Sequence, residues 1–188
     1  MKLLGAADHR RMAWKNGGGE TLEVAVFPPD AAVGGFDWRV SMAVVAIDGP
    51  FSLFPGIDRT LALLDGAGLT LDIMGHGIVS LAPDSDPCAF PGDVETMATL
   101  TGGPITDLNV MTARGRYRHA VERLTTARDL RPGPFDSWLL TGVGLTVEVA
   151  GDGVTLAVRD VLLLEPGEMA HVLPSATGGL LATIRRIV

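Results

Sequence analysis

The chain has 188 residues, 47% of them hydrophobic, and a formal net charge of −7. Such a length suits one domain or two small ones and supports a buried core without an outside staple, while the acidic balance disfavours nucleic acid, whose binding rests on Lys and Arg neutralising phosphates. The single cysteine, Cys88, excludes an internal disulfide framework and suits a reducing compartment, so a cytoplasmic protein is expected.

Asp8, His9, Arg10 and Arg11 interrupt the N-terminal stretch before any apolar run of signal-peptide length. Apolar runs elsewhere, such as Val161 to Leu164, fall well short of the ~20 residues of a membrane helix, so no membrane partner is expected. Short runs of Val, Leu, Ile and Thr are cut by 24 glycines and 12 prolines, a pattern of many strands and tight turns. The fold class is therefore all-β.

In chain order, Trp14-Lys15-Asn16-Gly17-Gly18-Gly19-Glu20-Thr21 comes first. Its three glycines leave backbone amides bare, either to cradle an anion or simply to turn tightly into the first strand, Leu22 to Phe27. No Gly-Lys-Ser/Thr ends it, so it is not a P-loop. The next strand, Trp38 to Val45, alternates: Trp38, Val40, Met42 and Val44 share one face, Arg39, Ser41 and Ala43 the other. Arg39 and Ser41 thus point the same way, toward solvent or toward a polar pocket mouth, and composition alone favours solvent.

Gly49 to Arg59 is a proline- and aromatic-rich loop in which Phe51 and Phe54 suit the plugging of a barrel end. Asp58 and Arg59 are adjacent in a strand, point to opposite faces, and leave Arg59 free for a pocket. Strands follow at Arg59 to Leu64 and Leu69 to Ile73. In Thr106 to Thr112, Asp107, Asn109 and Met111 share a face opposite Leu108 and Val110. The basic stretch from Arg114 to Arg131 reads as a solvated linker, within which Arg118 to Arg128 suits a short amphipathic helical turn. Further strands are expected at Trp138 to Leu140, Leu145 to Val149, Val154 to Val158, Val161 to Leu164 and Leu180 to Ile187.

Sliding the chain against itself exposes a repeat. Leu63 to Ile78 aligns without a gap on Leu139 to Val154, eight of the sixteen positions being identical, and Pro91-Gly92-Asp93 answers Pro166-Gly167-Glu168. Each copy reads strand, Gly-x-Gly, strand, Gly-x-Gly, strand, Pro-Gly-acid, strand, with glycines suited to hairpin turns. This is the rhythm of cupin barrels. The expected architecture is a bicupin: an N-terminal barrel over residues 1–115 with extra N-terminal strands, a basic linker over 116–134, and a C-terminal barrel over 135–188. Strands exchanged between the two fit the same reading, and a jelly-roll sandwich is the nearby alternative. Asp107 and Asn109 align with Thr183 and Arg185, so they are particular to the first copy, which becomes the place to look for a site.

Metal and nucleophile chemistry find little support. No His-x-His occurs among His9, His76, His119 and His171, His76 lies in a Gly-x-Gly turn, and His171 alone cannot hold a transition metal, so no metal and no other cofactor is expected. Gly-x-Ser-x-Gly is absent, and Cys88 sits in a proline-rich turn. Asp107 would serve as a general acid or base if buried.

Four separated segments, Trp14 to Thr21, Trp38 to Ala43, Gly49 to Arg59 and Asp107 to Met111, resemble the HutD/Ves proteins. That resemblance covers nearly the whole chain and implies a bicupin linked to bacterial histidine utilisation, in which HutD restrains the pathway by sensing an intermediate such as N-formylglutamate or urocanate. Ves relatives carry a stress-associated description. The matched polar residues are Asn16, Arg39, Ser41, Arg59, Asp107 and Asn109, a set suited to a small carboxylate bearing an amide or imidazole. A non-catalytic sensor of a small organic acid is the preferred expectation, with a homodimer compatible. A metal-independent cupin enzyme using Asp107, or an interaction partner using the basic stretch, are the rivals.

Overall fold

In the computed structural model, which describes residues 1–15, 17–32 and 34–187, every regular element is a strand and no helix occurs among these residues. No described segment is therefore a helix long and apolar enough to cross a membrane. The chain divides into two compact units, Arg10–Arg118 and Met1–His9 with His119–Val188.

The chain opens with β1 (Lys2–Leu4), which belongs to the second unit. The first unit holds β2 (Arg10–Ala13), β3 (Gly19–Phe27), β4 (Trp38–Val45), β5 (Gly49–Pro50), β6 (Ile57–Asp65), β7 (Leu69–Ile73), β8 (Gly77–Leu81), β9 (Cys88–Pro91), β10 (Thr96–Leu100) and β11 (Ile105–Ala113). They form a six-stranded sheet ordered β2-β3-β4-β11-β6-β9 and a four-stranded sheet ordered β5-β10-β7-β8. Leu61, Leu63, Leu69, Leu71, Ile73 and Ile105 lead the apolar core that these sheets share.

The second unit continues with β12 (Tyr117–Leu124), in which the division between the units falls, then β13 (Arg128–Leu130), β14 (Asp136–Thr141), β15 (Thr146–Val149), β16 (Asp152–Thr155), β17 (Val161–Leu164), β18 (Ala170–Leu173) and β19 (Gly179–Arg186). Its sheets run β1-β17-β14-β19-β12 and β13-β18-β15-β16. The order β4-β11-β6-β9 in the first unit thus recurs as β12-β19-β14-β17, and β5-β10-β7-β8 recurs as β13-β18-β15-β16. Leu140, Leu145, Val147, Leu162, Leu164 and Leu181 lead the second core.

Residues 116–134, read above as a linker, contain β12 and β13, and Arg118 to Arg128 forms no helical turn. Along β12, half-buried Tyr117, His119, Val121 and Arg123 alternate with exposed Arg118, Ala120 and Glu122, which is the period of a strand. Its basic residues are used locally: Arg128 pairs with Glu122, and upstream Arg114 pairs with Asp58 and Asp93 and Arg116 with Asp37.

The repeated glycines have a steric cause. A Cβ on Gly66 (φ +105°) would lie 2.8 Å from Pro104 O and 2.9 Å from Ile105 Cα, and one on the aligned Gly142 (φ +148°) would lie 2.8 Å from Gly179 Cα. Both positions let the chain entering the last strand of the unit pass against the turn. Gapless alignment does shift by one residue within those last strands. Leu63 faces Asp107, yet its aligned Leu139 faces Ala182 rather than Thr183, and the pairing of β6 with β11 passes over Leu64, since Thr106 faces Asp65 and Asp107 faces Leu63.

Gly66→Ala is expected to lower the unfolding free energy by about 2 kcal/mol or more, whereas Gly75→Ala, at φ +76° with open space around it, costs only about 1 kcal/mol. Urea unfolding of the two variants side by side checks the difference.

Candidate functional site

Three neighbouring strands build the floor of a pocket in the first unit. In register, Arg39 of β4 faces Met111 of β11, which faces Arg59 of β6; Ser41, Asn109 and Leu61 make the next row, and Ala43, Asp107 and Leu63 the third. Directly opposed residues project to the same side of a sheet, so these rows share one face. Val40, Met42, Ala62, Leu108 and Val110 are buried on the other. With both faces covered, Arg39, Ser41, Arg59, Asp107 and Asn109 are all buried, and the pocket outcome prevails over the solvent one. Irregularities on both flanks, one between Glu23 and Ala25 of β3 and the one beside Asp107, lie next to these rows, as such features commonly do where a side chain must be re-aimed.

A cavity of ≈ 400 Å³ opens over this floor, within the roughly 300–1,000 Å³ of small-molecule sites. Trp14, Lys15 and the loop from Ile47 to Phe54 contribute to its lining. Trp14 is half-buried and donates its indole N–H to Thr21 Oγ1 at 2.9 Å. Beside it, the Gly17 amide is spent on Trp14 O at 3.0 Å, which removes one donor from the expected anion cradle. Asn16 lies outside the described residues.

Buried polar atoms require partners, and here most have them. Arg59 donates from Nε at 2.7 Å and from Nη2 to Asn109 Oδ1, and Asn109 Nδ2 donates to Asp107 Oδ1. The guanidinium carbon lies over the rings of Phe51 and Phe90, 4.3 and 5.5 Å from their centroids. Phe51 thereby faces the pocket rather than only plugging an end. Two atoms complete no bond: Asp107 Oδ2 is buried without a hydrogen-bond partner, and Arg59 Nη1 donates to no described residue.

Arg39 is differently placed from what a carboxylate-gripping role requires. Its Nε donates to Glu23 Oε2 at 2.7 Å, so its charge is already matched. Glu23, absent from the sequence-derived set, reaches it from β3 opposite Ser41. The signal was a lone acid inside the apolar run from Leu22 to Phe27. Asp58, on the other face from Arg59, pairs with Arg114 at 2.8 Å.

Burial pushes the Asp107 carboxyl up to about 7, with Arg59, a backbone hydrogen bond from Ala43 and the Asn109 amide pulling only part of the way back. Burial likewise lowers Arg59 to about 10, against the raising influence of Asp107 and with a further lowering from Arg39. Arg59 therefore stays charged at neutral pH, and Asp107 is poised between its two forms. Among the described residues, no three His, Cys, Asp or Glu side chains gather as metal ligands. His76 sits in the β7–β8 turn, and His171 meets exposed Asp129 at 2.7 Å.

Paired antiparallel sheets around a polar pocket define a cupin-like all-β protein. A cupin 2 conserved barrel domain protein from Leptotrichia buccalis superposes with a TM-score of 0.56 at 11% identity, over 89% of this chain and 88% of that one, a likeness of fold alone. Within that class, the chain belongs to the HutD family, whose model matches residues 6–182. It is 41% identical over 109 residues to Protein Ves of Citrobacter koseri, covering 57% of this chain and 56% of that protein. It is also 41% identical over 120 residues to an uncharacterized 21.2 kDa protein in the hutC 3' region of Pseudomonas putida, covering 63% of this chain and 61% of that protein. The matches thus span under two thirds of these relatives. The structure of HutD from Pseudomonas fluorescens SBW25, in a formate condition, aligns over 100% of this chain and 99% of that one with a TM-score of 0.84 and 28% identity.

The Asp107 carboxyl carries a pH signature. Its folded-state pKa lies above the unfolded value, so between about pH 4 and 7 the native state holds a proton that the unfolded chain has released, and stability falls as pH rises through that window. Asp93 and Asp136 act oppositely, since Arg114 and Arg185 hold their carboxyls below the usual range. The comparison with Asp107→Asn isolates the first effect: relative to the parent, the variant is expected to gain stability from pH 4 to 7 by on the order of a few kcal/mol, measured by urea unfolding at each pH.

Proposed function

We propose that this protein is a non-catalytic regulator of the HutD type, built of two cupin-like barrels related by duplication, which binds a small carboxylate in the pocket of its first unit. N-formylglutamate or urocanate, intermediates of histidine utilisation, are the favoured ligands, and the cytoplasm is the place of action. One observation carries the reading: a charged Arg59 with a spare N–H, beside Asp107 with a spare oxygen, inside a cavity sized for a small molecule. Membership of the HutD family, the hutC-region relative and the HutD structure in a formate condition support it.

Arg59 takes the anchoring role in this reading, ahead of Arg39, because Glu23 already satisfies Arg39. Ser41 and Asn109 orient the rest of the ligand from the neighbouring row.

A metal-independent enzyme is the second reading, favoured by an Asp107 carboxyl at about 7, near the optimum for a general acid or base. Turnover with a pH profile that disappears in Asp107→Asn would support it over the sensor.

Thermal unfolding against formate, N-formylglutamate, urocanate, glutamate and phosphate separates the cases. An organic acid at a hundred times its dissociation constant is expected to add about 2.7 kcal/mol of stability. Arg59→Lys, which keeps the charge but loses the forked donors, is expected to retain the fold and lose most of that shift. Equal shifts in the parent and Arg59→Lys, or none with any acid, would remove the proposal.

A further inference from the structure

Building on the carboxylate-binding reading, we infer that the pocket takes up one proton together with its ligand: Asp107 becomes a carboxylic acid whose Oδ2–H donates to the bound carboxylate, which Arg59 Nη1 grips as well.

The argument begins with the two unfilled atoms. An ionised carboxylate ligand offers only acceptors. Arg59 Nη1 suits it, but an ionised Asp107 Oδ2 presents lone pairs to lone pairs, in a site shielded from water where such repulsion is strong. Placing one proton on Oδ2 turns the clash into a hydrogen bond. Asp107 Oδ1 cannot take that role without losing the Asn109 Nδ2–H that it accepts.

Charge counting across every flanking element agrees. β4 supplies Arg39, β3 supplies its partner Glu23, β6 supplies Arg59, and β11 supplies Asp107 with neutral Asn109. Ser41 is neutral, and at the mouth Lys15 is exposed while Asp48 is engaged by the Leu100 amide at 2.7 Å. With Asp107 ionised, Arg39 cancels Glu23 and Arg59 cancels Asp107, so the floor is neutral. With Asp107 protonated, the floor carries one positive charge, matched to one carboxylate. The proton is drawn from solvent, and no bond other than O–H is made or broken. Burial already holds the Asp107 carboxyl near the pH at which this exchange occurs.

Calorimetric titration of the full chain with sodium formate, in Hepes and in Tris at the same pH, reads the proton directly. Formate does not itself titrate between about pH 5.5 and 8.5. Close to one proton is expected to enter per formate bound near pH 8.5 and almost none near pH 5.5, and affinity should fall roughly thirtyfold between pH 6 and 8.5. Asp107→Asn, whose Nδ2–H replaces the acidic O–H, is expected to bind formate with one affinity at all these pH values and with no proton uptake; its thermal unfolding confirms that it folds. Buffer-independent heats with a flat affinity in the parent would overturn the inference while leaving carboxylate binding intact. No heat from formate, N-formylglutamate or urocanate at any pH would instead overturn the carboxylate reading itself, and the inference with it.

Discussion

The pocket depends on keeping one guanidinium out of water. Arg59 sits in the middle of a sheet whose two faces are both covered, where an unpaired charge would be very costly. Asn109 takes two of its N–H groups, the rings of Phe51 and Phe90 lie against it, and Asp107 supplies the opposing charge one residue-pair along β11. Strand register, the irregularity beside Asp107 and the loop that carries Phe51 all serve that arrangement. Were any of them displaced, the ion would lose a contact that water cannot replace.

The second unit shows what the same framework does when the polar pair is fully satisfied. Asp136 of β14 accepts from Arg185 Nε and Nη2 at 2.6 and 2.7 Å, from Trp138 Nε1 at 3.3 Å and from the Gly133 amide at 3.2 Å. Arg185 holds its carboxyl low, and nothing about it invites a further partner. Asp107 is more deeply enclosed and has a single side-chain donor, and its carboxyl is pushed up. The two units share a strand order and differ in whether the acid is saturated. That difference, rather than the fold, singles out the first unit.

Much of the site was legible because a strand has a period of two. Arg39 with Ser41, Asp107 with Asn109, and the opposite pointing of Asp58 and Arg59 follow from alternation alone. Whether those faces meet solvent or a cavity was not legible, because it depends on β11 lying between β4 and β6, a non-local fact. Glu23 escaped notice for the same reason: its partner is sixteen residues away on the neighbouring strand. The HutD family and the all-β class were legible from the four segments and the glycine spacing. Strand β12 was not, since its charged residues mimic a linker, and β1, β5 and β13 span only two or three residues each, too few to show a pattern.

Asn109 has one way to stand between its neighbours: oxygen toward Arg59, nitrogen toward Asp107. An aspartate there would set two carboxylates side by side, and a leucine would strand a cation and an anion at once. Exchange of Arg59 or Asp107 alone leaves the amide half engaged. The three positions consequently behave as one inherited character: exchanges that keep the charge or the hydrogen-bonding groups, such as Arg59→Lys and Asp107→Asn, keep the fold, truncations lead through poorly folded intermediates, and a lineage that changes the ligand must replace the trio together or keep it whole and alter the rim.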